Sequence, residues 1–198
     1  MALAVSVARL NRLWRRAVCV VVLCAVGCAP AYNWREVAHE GVPLRALMPC
    51  KPERAQRPVP LLGSGCEPVD LYMMSCEVDG DTFAVAVVTL RTPELADDAL
   101  RRWRAATWAS LKLSGSDGGG MPVGWSEQQV AWPGASVAVS WSGLGADHRG
   151  QPLEAQFWLG AKGAHVAQAA WYGKNAAPEV KETFFSALRF DVAGLTAR

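Results

Sequence analysis

Serine, histidine and aspartate side chains lie close together in the chain around residues 140–148. Ser142, Asp147 and His148 are the residue types that a hydrolase uses as nucleophile, orienting acid and general base. No Gly-x-Ser-x-Gly motif surrounds a serine, and residues 143–151 are typical of a polar hairpin loop. The sequence therefore favours a non-enzymatic protein, with a secreted hydrolase that uses a serine or His148 as the alternative.

Sequence support for a metal site or a phosphate-binding loop is weaker than that for a hydrolase. His39, His148 and His165 are isolated from one another, and no Cys-x-x-Cys pair is present, whereas a zinc site needs four ligands, usually at close spacing. The glycine-rich stretch SDGGG (116–120) lacks the lysine that a phosphate-binding loop requires. We therefore expect neither a metal ion nor another cofactor.

The distribution of charge separates the start of the chain from the rest. Arg9, Arg12, Arg15 and Arg16 lie in the first 27 residues, which contain no acidic residue, and the remaining chain has 16 basic and 18 acidic residues. The chain after residue 27 is weakly acidic, so it lacks the excess of positive charge by which a protein binds nucleic acid. The basic excess therefore indicates a targeting segment.

An apolar run of eleven residues, 17–27, follows these arginines. It is shorter than the roughly 20 residues that a helix needs to cross a bilayer, and Pro30 follows it at once. Positive charge, a short apolar run and then small residues are typical of a secretory signal peptide, which we predict over residues 1–27. A retained membrane helix is the alternative.

The site of cleavage has two readings. The segment AVGC (25–28) resembles the lipobox of bacterial lipoproteins, although leucine is usual where Ala25 stands; Cys28 would then be the lipid-bearing N-terminus, acylated with palmitate. The alternative is the A-x-A-like segment 29–31, which would release a soluble protein. Lipidation explains why a cysteine stands where the apolar run ends. Ala29 after the cysteine favours the outer membrane over the inner one.

Three cysteines remain after residue 28, and an oxidising compartment allows at most one internal disulfide among them. We expect the bond to join Cys50 and Cys76, because each ends a segment with the pattern of a strand. A closed loop of about 27 residues would stabilise the fold by roughly 3–4 kcal/mol on the chain-entropy model. Cys66 could compete for either partner.

The strongest local signal is a hairpin. Residues 69–78 and 81–90 are rich in β-type side chains and flank Asp79-Gly80, a pair that favours a type I′ turn because glycine accepts positive φ. Apolar alternation or β-type composition predicts further strands, of which 57–63 should be an edge strand because it contains two prolines. These strands are 41–49, 57–63, 135–141, 153–159, 164–172 and 188–191.

The main helix is predicted over residues 93–113. Thr92 is a good N-cap and Pro93 suits the first helical position. Its apolar face should pack on the sheet, and a short helix is expected from Pro178. That apolar face comprises Leu95, Ala99, Leu100, Trp103, Ala106, Thr107 and Leu111.

Two of the nine tryptophans occupy unexpected positions. The periodicity places Trp108 on the polar side of the helix and Trp158 on the polar side of its strand. Exposed aromatic side chains with polar neighbours mark protein interfaces or platforms that stack on sugars. Trp108 and Trp158 are therefore a candidate binding surface, unless another part of the chain covers them.

The order of elements predicts an α+β fold. We expect one antiparallel sheet of about six strands, with the long helix 93–113 and a short C-terminal helix packed on it. The expected organisation is a signal peptide over residues 1–27, a tether over 28–40 and a single α+β domain over 41–198.

Three segments together resemble a known group: LRALMPCKP (44–52), GDTFAVAVVTL (80–90) and EVKETFFSALRF (179–190). They are similar to segments of uncharacterised secreted or lipid-anchored envelope proteins of proteobacteria with a PsbP/Mog1-like α+β domain. The resemblance covers residues 41–191 and implies binding or accessory roles. It supplies no active-site motif, and a fold alone does not define a function.

These observations together predict an envelope lipoprotein anchored at Cys28 and facing the periplasm. We expect it to contact the membrane through its N-terminal lipid and to bind an envelope protein or a glycan.

Overall fold

The computed structural model describes residues 31–39, 41–113 and 120–191. The predicted signal peptide and Cys28 lie outside the described residues. Contacts within the chain divide it into two units, residues 1–31 and 32–198. All the strands and helices described below belong to the second unit.

Ten strands form two antiparallel sheets, and two helices pack on them. The large sheet has seven strands in the order β3-β4-β5-β9-β8-β7-β6, and the small sheet has three in the order β1-β2-β10. This is a mixed α+β fold dominated by antiparallel sheet. The strands are β1 Arg35–His39, β2 Val42–Met48, β3 Glu53–Val59, β4 Val69–Val78, β5 Asp81–Thr89, β6 Ser126–Gln129, β7 Val137–Ala146, β8 Pro152–Lys162, β9 His165–Gly173 and β10 Arg189–Phe190; the helices are α1 Ala96–Ser110 and α2 Pro178–Ser186.

The predicted hairpin is confirmed. Strands β4 and β5 pair from Val78↔Asp81 to Leu71↔Val88. Asp79 and Gly80 in the turn have φ angles of 53° and 81°, and two successive positive φ values are the signature of a type I′ turn. The local sequence was sufficient here because the turn residues alone select this geometry.

The central strands of the large sheet are covered on both faces. In β5, the odd-numbered residues Phe83, Val85 and Val87 belong to one core cluster, whereas Ala86 and Val88 belong to a second cluster on the other face. Successive side chains of a strand point to opposite faces. A sheet that is apolar on both sides must therefore lie between two covering layers.

Helix α1 forms the first covering layer. It is preceded by a 3-10 turn over Pro93–Leu95, and it ends before residue 113. Trp103 and Thr107 face the sheet, and the Thr107 hydroxyl accepts a hydrogen bond of 2.8 Å from the Gln168 side chain on β9. Ala106, which the periodicity places on the apolar face, is exposed. Compared with the predicted apolar face, the buried face of α1 is shifted around the helix toward Ala96 and Trp108.

The small sheet and α2 form the second covering layer. Strand β2 shows the predicted alternation, since every second residue from Val42 to Met48 is buried. Phe184 and Phe185 of α2 and Phe190 of β10 enter the same core cluster. This layer lies on the face of the large sheet opposite α1.

Three expectations about the strands need correction. Residues 31–39, 41–113 and 120–191 contain ten strands in two sheets instead of one sheet of about six. Strand β1, Arg35–His39, lies inside the segment expected to be a tether, and β6 was not predicted. Both strands are largely exposed, so they lack the apolar alternation by which a strand is recognised. Strand β7 also runs to Ala146, into the segment expected to be a loop.

One buried carboxylate joins the layers. Asp81, at the start of β5, has 0% exposure. Its oxygens accept hydrogen bonds from the backbone N–H groups of Lys174 (2.8 Å), Asn175 (3.1 Å) and Ala176. They also accept one from the indole N–H of Trp171 at 3.2 Å. Asp81 therefore holds the segment between β9 and α2 in one conformation.

We predict that Gly173→Ala destabilises the protein by about 2–4 kcal/mol. A Cβ at this position would overlap the Asp81 carboxylate and force it away from its donors. Urea denaturation measures the change. Gly65→Ala is the matched control, because a Cβ there meets nothing within 4 Å; it should stay within about 0.5 kcal/mol of the original protein. Equal stabilities of the two variants would contradict this role of Asp81.

Candidate binding site

Three cavities surround the turn between β1 and β2, and we call them together the hairpin trough. Their volumes are about 650, 570 and 550 Å³. They share lining residues, since Gly41 and Val42 line the first and second, Ala38 and His39 the second and third, and Tyr72 the first and third. The turn of the small sheet thus creates the trough where it meets the large sheet.

The first cavity lies between this turn and the segment that precedes β4. Arg91 and Glu67 form an ion pair on its rim; both side chains are about 70% exposed, so the pair contributes little to stability. Asp70 and the exposed thiol of Cys66 also line this cavity. Its rim is therefore polar and exposed.

The second cavity places His39 and His165 on a common wall. The Nδ1 atom of His165 lies 3.0 Å from the Thr89 hydroxyl. The Lys162 amine, in the same cavity, donates to the Asp191 carbonyl oxygen at 2.8 Å. Burial, and then the positive charge of Lys162, lower the pKa of His165, so this environment favours the neutral imidazole.

Arg45 and Asp191 complete the charged wall of the second cavity. The Arg45 guanidinium pairs with the Asp191 carboxylate and with Glu36, and Arg189 pairs with the same two acids. These pairs connect all three strands of the small sheet. The charges in this cavity therefore hold its wall together.

The third cavity is a groove between β1 and β3. The Arg54 guanidinium on β3 lies 3.4 and 3.5 Å from the Ala38 carbonyl oxygen on β1. The rings of His39 and Tyr72 meet edge to face at 4.5 Å, and the Tyr72 hydroxyl accepts from Gln56 at 3.1 Å. The outer edge of β1 therefore faces this groove.

The trough is lined by polar groups that contact one another. Its polar groups are engaged with one another in pairs, as the contacts of Arg91, His165 and Arg54 illustrate. Within residues 31–39, 41–113 and 120–191, no three His, Cys, Asp or Glu side chains are grouped so that they could hold a metal ion.

The residues considered for hydrolysis do not form a triad. The Ser142 hydroxyl lies 3.1 Å from that of Ser126. The Asp147 carboxylate accepts from the backbone N–H groups of Arg149 and Gln151, both at 2.8 Å, which lowers its pKa and shapes the β7–β8 turn. The backbone carbonyl of His148 accepts from Lys112 at 3.1 Å. Each group thus has a local structural contact.

The two tryptophans proposed as a binding surface do not form one. Trp108 is fully buried, because Trp125 and Trp141 pack edge to face against it at 4.8 and 5.5 Å. Trp158 is half-buried and stacks on Phe185 of α2 at 5.3 Å. The prediction from helical periodicity was wrong for Trp108 because this residue lies at the margin of the buried face of α1, where Trp125 covers it.

The cysteines occupy three different environments. Cys76 is buried, Cys50 is half-buried and Cys66 is exposed, and all three are thiols in this structure. The Cys50 sulfur lies 4.0 Å from the carbonyl oxygen of Glu77, the residue that follows Cys76. Cys28, the predicted lipid site, lies outside the described residues.

The residues that build the trough were not predicted as site residues. His39 falls in the expected tether, while Tyr72 and Thr89 belong to ordinary strand patterns. Gly41, with φ of 78°, was the one available signal, since a glycine beside a strand often marks a turn. No local pattern shows that this turn meets the end of another sheet.

Comparisons with known proteins place the chain in no group: no family model and no curated protein matches it. Among the described residues, no helix is both long and apolar enough to cross a membrane.

We predict that the neutral state of His165 makes stability depend on pH. Because the pKa of His165 is lower in the folded protein than its ordinary value of 6.5, the unfolded chain binds more protons near this pH. The stabilisation is present above about pH 6.5 and is lost as the pH falls below it. His165→Gln should flatten the fall in melting temperature between about pH 6.5 and pH 5.

His148→Gln is the control for this prediction, because it also removes one imidazole but at an exposed position. The carboxylates with lowered pKa, Glu94, Asp98 and Asp147, lose stabilisation only below about pH 4.5. If the melting temperature of His165→Gln fell with pH as steeply as that of His148→Gln, the assignment to His165 would be wrong.

Proposed function

We propose that the protein is a lipid-anchored, non-enzymatic module of the bacterial cell envelope. It is attached through Cys28 and binds a polypeptide partner in the hairpin trough. The anchor would place it at the periplasmic face of a membrane, the outer membrane in preference to the inner one. The PsbP/Mog1-like resemblance supports a binding or accessory role without adding a site.

The proposed anchor rests on the sequence at the start of the chain. Four arginines, an eleven-residue apolar run and the segment AVGC stand in the order of a lipoprotein signal. The domain follows closely, because Asn33 already donates to the Pro49 carbonyl oxygen at 2.8 Å and β1 begins at Arg35. Only a short segment separates Cys28 from the folded domain.

The observation that carries the binding proposal is the location of the trough. The chain enters the domain at Tyr32, whose pKa is raised by burial and by the nearby Asp79 and Asp81, so it lies beside the β4–β5 turn. The trough is lined by Thr89 and His165, at the other end of the large sheet. Strand β5 spans about 26 Å between these ends. The trough thus lies far from the point where the anchor joins the domain.

The exposed edge of β1 favours a polypeptide over a glycan. Within the described sheets, β1 is an edge strand, and the Ala38 carbonyl oxygen on its outer side faces the third cavity. An edge strand can pair through its backbone with an extended segment of another chain, which here would take the place of Arg54 at the Ala38 carbonyl oxygen. The glycan proposal depended on Trp108 and Trp158, which lie in separate packed clusters.

The anchor is tested by the intact mass of the protein extracted from cells in detergent. We expect a chain that begins at Cys28 and bears acyl groups. Cys28→Ser should accumulate unprocessed and without lipid, whereas Cys24→Ser should be processed normally. A lipid-free mature chain that begins near Tyr32 would overturn the anchor and indicate a soluble secreted protein.

The trough is tested by cross-linking through Cys66, which lines the first cavity and is exposed. A maleimide photocross-linker at Cys66 should give one defined polypeptide adduct in cells. The double variant Arg91→Glu/Asp70→Arg should reduce it about tenfold, as a loss of roughly 1.4 kcal/mol of binding requires. Arg149→Glu, on the exposed β7–β8 turn, should leave it unchanged.

Cys66→Ser controls for adducts that arise from other thiols. An adduct that persists in the double variant would show that the trough does not select the partner. Adducts that contain glycan instead of polypeptide would overturn the choice of partner while leaving the anchor proposal intact.

A further inference from the structure

Cys50 and Cys76 lie at the contact between the two sheets. Cys76 is on β4 with 5% exposure and belongs to the core cluster that the small sheet covers. Cys50 follows the end of β2, and its side chain packs against the same cluster. Cys50 thus lies just beyond the end of the small sheet, Cys76 lies in the large sheet, and both contact the core cluster between the two sheets.

The geometry places these two thiols in direct contact. The Cys50 sulfur lies 4.0 Å from the carbonyl oxygen of Glu77, the residue that follows Cys76. Burial, and then the neighbouring Cys50 side chain, raise the pKa of Cys76 to about 12.

Cys66 is too far away to compete. It lines the first cavity beside Val69, the first residue of β4. Cys76 is seven residues further along this strand, which corresponds to about 23 Å. The three Cα–Cα steps from Cys66 to Val69 can span at most about 11 Å. The structure therefore disfavours a bond from Cys66 to Cys76 or to the neighbouring Cys50, both of which the sequence left open.

We infer that Cys50 and Cys76 form a disulfide that joins the small sheet to the large sheet, and that Cys66 remains a free thiol in the trough. Formation of this disulfide in cells rests on the proposed envelope location, because an oxidising compartment must supply the oxidant. That oxidant is an external disulfide, either oxidised glutathione or the active-site disulfide of a thiol oxidoreductase.

The reaction proceeds in two exchanges. The more accessible Cys50 attacks the external disulfide as thiolate, forms a mixed disulfide and expels one thiolate. Cys76 then attacks the Cys50 sulfur and expels the second thiolate, which completes the Cys50–Cys76 bond. Two electrons pass to the external disulfide, and the two protons lost by the cysteines are taken up by the released thiolates. Because Cys76 is buried, the second exchange should accelerate as the pH rises.

The bond would connect the end of β2 with β4. Strand β2 also provides Val42, Leu44 and Arg45 to the second cavity. A covalent link at one end of the small sheet would therefore help to keep the trough at its other end in place, and reduction should loosen both.

The test uses the mature chain, purified in detergent after removal of the signal peptide, equilibrated with an excess of oxidised glutathione and then alkylated. We expect the loss of two hydrogens, a linked pair of peptides that contain Cys50 and Cys76, and alkylation of Cys66 alone. Reduction should lower the melting temperature by about 5–12 °C. Cys66→Ser should retain this response, and Cys50→Ser should melt lower and show no response to reductant.

Two results would overturn the inference. The first is three alkylated cysteines after oxidation, and the second is a linked peptide pair that contains Cys66. A bond that closes in the purified protein but is absent from freshly alkylated cells would instead contradict the oxidising location, so the two proposals fail separately.

Discussion

The buried carboxylate of Asp81 is the interaction on which the arrangement of the second layer depends. Its four donors come from the end of β9 and the segment before α2, and together they set the direction in which the chain leaves the large sheet. A charged group in the interior is tolerated only when it is fully hydrogen-bonded. The carboxylate therefore selects one path for this connection.

That path determines the position of the trough. Helix α2 places Phe184 and Phe185 on the large sheet and leads to β10, which pairs with β2 through Arg189↔Arg45 and Phe190↔Leu44. Asp191 then donates its backbone N–H to the Pro43 carbonyl oxygen at 2.8 Å, and its side chain pairs with Arg45. One wall of the second cavity is thus the end of a chain of contacts that starts at Asp81.

The two faces of the large sheet have different roles. The face under α1 is packed with large aromatic side chains, and Gly143 permits this because a Cβ there would lie 2.6 Å from the Trp125 ring. The opposite face supports a small sheet whose first strand has an open edge and whose turn projects over the end of the large sheet. The first face is closed by this packing, whereas the trough leaves part of the second face open. The cysteine pair lies between these sheets, at the end opposite the trough.

The sequence by itself determined the features that follow from local chemistry. Asp79-Gly80 predicted the β4–β5 turn because few residues accept two positive φ values in succession. The alternation from Val42 to Met48 predicted β2, and Thr92-Pro93 marked the start of the helical segment. Each signal is contained in a few neighbouring residues, so no tertiary information was needed.

Only the tertiary structure decided what depends on contacts between distant residues. Strand β1 exists because it pairs with β2, although it is largely exposed. Trp108 is buried because Trp125 and Trp141 pack against it. The trough exists because a turn of one sheet meets the end of another, bringing His39 and His165 to one cavity. Periodicity reports whether a side chain is turned toward a core, but it does not report which distant segment covers it.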